Sequence, residues 1–354
     1  MRRAAILLAL AALALSGASP APAPVDLSVV LAEAPAAKLS DYRLFIDAGA
    51  RQPNGRVTPY DVATPLFSDY AVKHRYVFTP KGEPAAWRDQ GPLAFPVGTV
   101  LVKTFAYPAD FRRPEQDERF LETRLLIRKA GGWTAQTYLW NAEQTEATLK
   151  RVGARLDVSF IGQDGAPVAF EYAVPNQNQC KECHSADGVM QPIGPKARNL
   201  NHDFAYREGT RNQLSQWRTL GLLAGGPAPA DAPRTADWTD ASAGLEQRAR
   251  AYLDANCGHC HNPAGMASTS GLFLNAEEDR PAHLGLNKAP VAAGRGSGGL
   301  KVSIDPGHPE RSILIHRMAS DDPGVMMPEL GRALVHEEGV AVVAAYIASL
   351  KPAP

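Results

Sequence analysis

Cys180-Lys181-Glu182-Cys183-His184 and Cys257-Gly258-His259-Cys260-His261 decide how this chain is read. Both spell C-x-x-C-H, the attachment signal for a c-type haem. Two thiols at this spacing can each add to a vinyl group of one porphyrin, and the following His is then placed to give an imidazole nitrogen to iron. The two motifs use all four cysteines of the chain. A four-cysteine zinc site does not call for a His after each pair. A disulfide framework does not explain that His either, and neither motif has the βαβ context of a thioredoxin-like site. The expectation is two covalently attached haems c. Cys180, Cys183 and His184 hold the first, and Cys257, Cys260 and His261 the second.

The N-terminus predicts export. Met1-Arg2-Arg3 is a positive start, Ala4 to Leu15 is an unbroken apolar run, and Ser16-Gly17-Ala18 offers small residues for cleavage. That run is too short to span a bilayer, so residues 1–24 read as a cleaved signal peptide and the mature chain as periplasmic. No later segment is apolar for long enough to span. The chain has 354 residues, with 37 Lys+Arg balanced by 37 Asp+Glu. That balance gives no support for nucleic acid or a polybasic membrane surface.

Length suggests two or three domains. Residues 25–173 read as mostly β. Val97–Phe105, Glu122–Arg128 and Trp133–Trp140 are β-branched and partly alternating, with Gly131-Gly132 as a hairpin turn between the last two. Leu156–Ile161 and Val168–Tyr172 suggest another hairpin around Asp164-Gly165. From Asn176 onward the pattern predicts helices and loops. A helix is expected over 204–223, a Gly/Pro/Ala-rich linker over 225–237, an amphipathic helix over 245–256 and a last helix over about 336–350. The expected fold class is multidomain α+β: an N-terminal β-rich sandwich or barrel (25–173), then mainly α cytochrome c-like haem modules. The first module, atypical, covers 174–241, and the second, over 242–354, follows the layout of a class I cytochrome c domain.

With the motifs placed, the chain resembles a bacterial family of diheme c-type cytochromes. The resemblance is carried by Thr64-Pro65-Leu66-Phe67-Ser68-Asp69-Tyr70, Phe95-Pro96-Val97-Gly98-Thr99 and Pro192 to Asn201. Ala292 to Gly299 and Met327-Pro328-Glu329-Leu330-Gly331-Arg332 add to it. It implies two haems, a periplasmic address and electron transfer, without a defined substrate.

Met327, before Pro328 in the loop preceding the last helix, is the expected distal ligand of the second haem, with Met326 its one-residue rival. The sixth position of the first haem has several candidates, His202, His336, Met190 and His74, or stays open. His259, at an x position, reads as a surface or haem-edge side chain. Arg295, Lys301, Arg198 and Lys196 are candidates to pair with haem propionates.

Two functions compete. One is a one-electron carrier or relay serving a partner oxidoreductase (a dehydrogenase or another cytochrome), possible if both irons are six-coordinate. The other is a diheme peroxidase or oxidase with an open first haem. No nucleotide-binding Gly fingerprint, Gly-x-Ser-x-Gly or H-E-x-x-H string is present to suggest another chemistry.

Overall fold

The computed structural model describes residues 21–352, so most of the expected leader lies outside the described residues. After one short helix and a 3-10 turn come nine strands: β1 Thr58–Tyr60, β2 Val72–Phe78, β3 Ala85–Ala86, β4 Val100–Tyr107, β5 Arg119–Lys129, β6 Gly132–Trp140, β7 Ala147–Leu149, β8 Ala154–Ile161 and β9 Pro167–Val174. Six of them form one antiparallel sheet in the order β1-β2-β4-β5-β6-β7. The tight turn at Gly132, whose φ of 131° suits glycine, joins β5 to β6. Strands β8 and β9 pair only with each other. They pack Val158, Phe160, Tyr172 and Val174 against Phe105 and Tyr107.

Alternation gives the sheet two different faces. Tyr76, Phe78, Val100, Val102, Leu125 and Ile127 point into a core closed by Val30, Tyr42 and Leu44 of the N-terminal segment. The other face presents Val77 and Leu101, which pack with Leu214, Trp217 and Leu222. It also presents Arg75, Lys103 and Arg124, which line a cavity.

The expected fold class is overturned on both counts. The N-terminal part is one open six-stranded sheet with a hairpin packed on it, where a sandwich or barrel was expected. The rest of the chain is not mainly α. Among the described residues there are seven α-helices: α1 Leu27–Leu31, α2 Gln177–Cys183, α3 Ala197–Leu200, α4 Gln213–Thr219, α5 Leu245–Asn256, α6 Ile313–Met318 and α7 Glu337–Ser349. The longest has 13 residues. Between α5 and α6 the chain runs as loop with short 3-10 turns, because Gly and Pro recur too often for a helix to propagate. The helix expected over 204–223 is also replaced in part. Gly209, with a φ of 116°, turns β12 Asp203–Tyr206 back into β13 Gly209–Asn212, and only α4 remains helical. Asn212 starts that helix by accepting from the Leu214 and Ser215 amides.

Helices α5 and α7 do pack together. Ala249, Tyr252 and Leu253 meet Val343, Tyr346 and Ile347, with Leu274, Ile304, Leu314 and Met318 filling around them. Gly339 is the closest point, where a Cβ would run into the Tyr252 ring. The Thr64–Tyr70 string ties this region to the sheet. The Phe67 amide donates to Asn256 at 2.7 Å, Asp69 accepts from the Ala333 and Leu334 amides at 2.7 Å each, and the Tyr70 hydroxyl donates to Glu338 at 2.9 Å.

Candidate functional site

The first motif rides on α2. Asn176 caps the helix, accepting from the Asn178 and Gln179 amides, while the Gln179 side chain accepts from the Asn176 amide. This reciprocal pair turns the chain from β9 straight into a helix. Cys180 and Cys183, three apart, then share one face. His184 ends the helix. Its Nδ1 lies 2.9 Å from the Gln191 carbonyl, which can only accept, so Nδ1 carries the hydrogen and Nε2 keeps its lone pair. Burial holds this imidazole down to about 4, neutral at ordinary pH.

The second motif follows α5. Cys257 caps the helix, and the Cys260 and His261 amides fold back on its carbonyl at 3.1 and 2.9 Å. His261 repeats the first arrangement. Its Nδ1 lies 3.2 Å from the Leu272 carbonyl, Nε2 is left free, and burial lowers its basicity. A ring nitrogen locked by a backbone carbonyl is how proteins orient an imidazole towards a metal.

The two motifs meet. Donor atoms of Cys183, His259 and Cys260 all lie within 4.8 Å of one another. The hydrogen bond between the two thiols, and then His259, holds Cys183 below its ordinary value, and the same bond pushes Cys260 up. Burial pushes Cys257 up to about 12 and also raises Cys180. His259 Nδ1 is buried without a hydrogen-bond partner. Read from the motif alone, His259 is a surface or haem-edge side chain; the structure puts it at the junction.

A cavity of about 1990 Å³, its open mouth included, is lined by Cys180, Cys183, His184, Cys257, His259 and Met327. Neither Cys260 nor His261 belongs to this lining; His261 instead sits with Ser270 and Leu272. Met327 is held by its amide donating to the Arg317 carbonyl at 3.0 Å. Met326 is 8% exposed and packed away from the cavity. The residues present fit a c-type haem in their donor set: thiols in pairs, imidazoles with free Nε2 atoms and a thioether in the cavity wall.

Of the four candidates for the sixth position at the first haem, only His336 lines the cavity. It is already held by structural contacts. Phe67 stacks on it at 4.1 Å, and the Tyr252 hydroxyl lies 2.9 Å from its Nδ1. His74 falls on the opposite sheet face from Arg75 and bonds Glu118 at 2.8 Å. His202 has Nδ1 at the Asp203 carbonyl and Nε2 at Gln213. Met190 lies in β11 Val189–Met190, turned back against β10 Ser185–Ala186, outside the cavity lining. Three candidates for propionate contacts are already paired: Arg198 and Lys196 with Asp254, and Arg295 with Asp322. Lys301 is exposed.

Sequence reasoning missed the cationic wall of Arg75, Lys103 and Arg124. A signal existed in Lys103, the one charged residue inside the largely apolar strand Val100–Tyr107. Among the described residues no helix is long and apolar enough to cross a membrane. Comparison of the chain with family models, curated proteins and solved structures finds no match.

Proposed function

We propose that this chain is an exported, periplasmic diheme c-type cytochrome that passes single electrons through two covalently bound haems to and from a partner oxidoreductase. The observation that carries the reading is the meeting of two complete C-x-x-C-H motifs, with Cys183 and Cys260 within 4.8 Å. Cofactors anchored at these neighbouring thiols would be held close together, and their iron would supply one-electron chemistry within the chain. The haem iron supplies the one-electron couple. His184 and His261 offer Nε2, oriented by the Gln191 and Leu272 carbonyls, and Met327 offers a thioether expected to raise the potential relative to a second imidazole. The docking of 58–174 against the motif region suits a redox subunit better than a minimal carrier.

The test is mass spectrometry of the exported, acid-acetone-washed protein. Two haem additions are expected, and one in a Cys257→Ala/Cys260→Ala variant. Fewer than two in the parent overturns the reading. A second reading has its own observation, because Cys183, His259 and Cys260 also form three-quarters of a tetrahedral metal site. One equivalent of zinc without haem in the same preparation would favour it. An enzyme with an open first haem would bind carbon monoxide when reduced and sustain peroxide turnover, whereas the relay does neither.

A further inference from the structure

Arg75, Lys103 and Arg124 stand directly opposite one another on neighbouring strands β2, β4 and β5. They form one row of three cations on the cavity face of the sheet. Like charges in such a row repel and destabilise the pairing, so the row needs anions. Arg75 has Asp61, and Arg124 has Glu122, which the Tyr172 hydroxyl also reaches at 2.6 Å. Lys103, in the middle, has no carboxylate and no hydrogen-bond acceptor among the described residues. The Phe105 ring lies under its Nζ, 4.8 Å from the ring centroid. Burial and the adjacent Arg75, Lys73 and Arg124 charges push its ammonium well down, with Glu122, already paired with Arg124, opposing weakly.

The row also has a direction. The residue opposite Arg124 on β6 is Thr137, and α2, which carries Cys180, is tied to β6 by the Gln177 side-chain amide donating to the Ala135 carbonyl at 3.3 Å, with Cys180, Arg124 and Lys103 lining the same cavity. The first motif is therefore anchored at one end of the row, with Lys103 two strands away, or about 10 Å at the usual strand spacing. Thioether bonds form on the vinyl edge of a porphyrin, and its two propionates project from the opposite edge. Cys180, Lys103 and Arg75 line one cavity, so a ring fixed at Cys180 within it could place its carboxylates at Lys103 and Arg75. We propose that the row Arg75–Lys103–Arg124 seats the propionate carboxylates of the porphyrin anchored at Cys180 and Cys183, with Lys103 as the principal contact. This rests on the diheme reading and adds to it a carboxylate-binding subsite.

The experiment uses the full chain with haem attached. Haem additions are counted first, and the midpoint of each haem is then measured by optical redox titration in the parent, Lys103→Met and Lys103→Arg. In Lys103→Met both haems stay attached, and one midpoint falls by a tenfold change in its reduction equilibrium, about 59 mV for one electron. It falls because a positive charge that favoured the reduced form has gone. Lys103→Arg, which keeps the charge, stays within a twofold change. Should Lys103→Met fail to fold, Arg75→Gln at the end of the row shows a smaller fall in the same haem. Unchanged midpoints in Lys103→Met overturn the proposal while two haem additions leave the diheme reading intact. A high-spin, carbon monoxide-binding haem in both Lys103→Met and Lys103→Arg also overturns it, because the amine would then have been on iron and not on a carboxylate. Fewer than two haems in the parent removes the diheme reading itself.

Discussion

Replacing Asp254 tests whether charge ties the two motif regions together. Asp254 lies on α5, three residues before Cys257, with its side chain 3% exposed. It accepts from Lys196 at 3.3 Å, from Arg198 at 2.9 Å and from the Ala276 amide at 3.0 Å. Lys196 and Arg198 belong to the segment that follows the first motif, so one carboxylate joins that segment to the helix leading into the second. Burial alone would raise the Asp254 carboxyl, but the two cations outweigh it and hold it below its ordinary value. Asp254→Ala leaves Lys196 without a carboxylate, while Arg198 keeps Glu277. Breaking a buried pair on one side costs roughly 3–5 kcal/mol, and the remaining Glu277 contact places this case near the lower end. Asp254→Asn, which can still accept hydrogen bonds, costs less. Urea unfolding at pH 7 measures both. Because the folded carboxyl is the stronger acid, its contribution is present above the unfolded value of about 3.9 and fades as pH falls through the folded one. The deficit of Asp254→Asn therefore shrinks towards pH 3. An Asp254→Ala cost below about 1 kcal/mol, or strict additivity with Arg198→Ala, would refute the reasoning.

Three further outcomes are expected. Met327→Ala removes the sulfur-to-iron charge-transfer band of the oxidised protein with little loss of stability, whereas Met326→Ala keeps the band and costs about 2–5 kcal/mol as a core truncation; the reverse pattern in optical spectra and unfolding moves the ligand by one residue. Gly339→Ala drives a methyl into the Tyr252 ring, and overpacking of this kind costs about 1–3 kcal/mol in the same assay; an unchanged midpoint would mean that α5 and α7 have room to part. His336 is held down to about 4, first by burial and then by the Lys73 charge, with Glu338 opposing. Its folded value lies below the unfolded one, so its contribution is complete above about pH 6.5 and is lost as pH falls towards 4, on the order of 3 kcal/mol. A His336→Gln variant should flatten that part of the stability profile, and an unaltered slope would count against the assignment.

Local pattern carried some elements well. The Gly131-Gly132 signal falls at the turn between β5 and β6, and the apolar spacing of Leu245, Ala249, Tyr252 and Leu253 predicts the helix seen over Leu245–Asn256. What was not legible is how much of the rest is loop. The apolar spacing of Leu214, Trp217, Leu220 and Leu223 suggested a longer helix, but the positive φ at Gly209 and the Asn212 cap confine it to seven residues. The motif residues could be named because their spacing is the chemistry. Their meeting at Cys183 and Cys260 could not, because it depends on how residues 70 or more positions apart dock. The same holds for Lys103: its strand is local, but its place in a cationic row is set by register with β2 and β5.

The wall opposite the motifs explains why a sheet belongs in this molecule. The cavity is bounded on one side by short helices and loops that carry thiols, and on the other by the central strands of a sheet. Short helices alone hold position poorly, since most helical stability comes from tertiary packing. Strands β2, β4 and β5 are flanked on both sides within the sheet, so they fix the cations at Arg75, Lys103 and Arg124 whatever the loops do. On the diheme reading, a covalent cofactor is not released when the chain unfolds, so attachment adds no concentration-dependent stability of the kind a dissociable ligand gives. Its stabilisation must come from what the folded chain alone provides: a surface to pack on and partners for its buried carboxylates. On that reading the sheet would supply both, which would give residues 58–174 a role without any haem motif of their own.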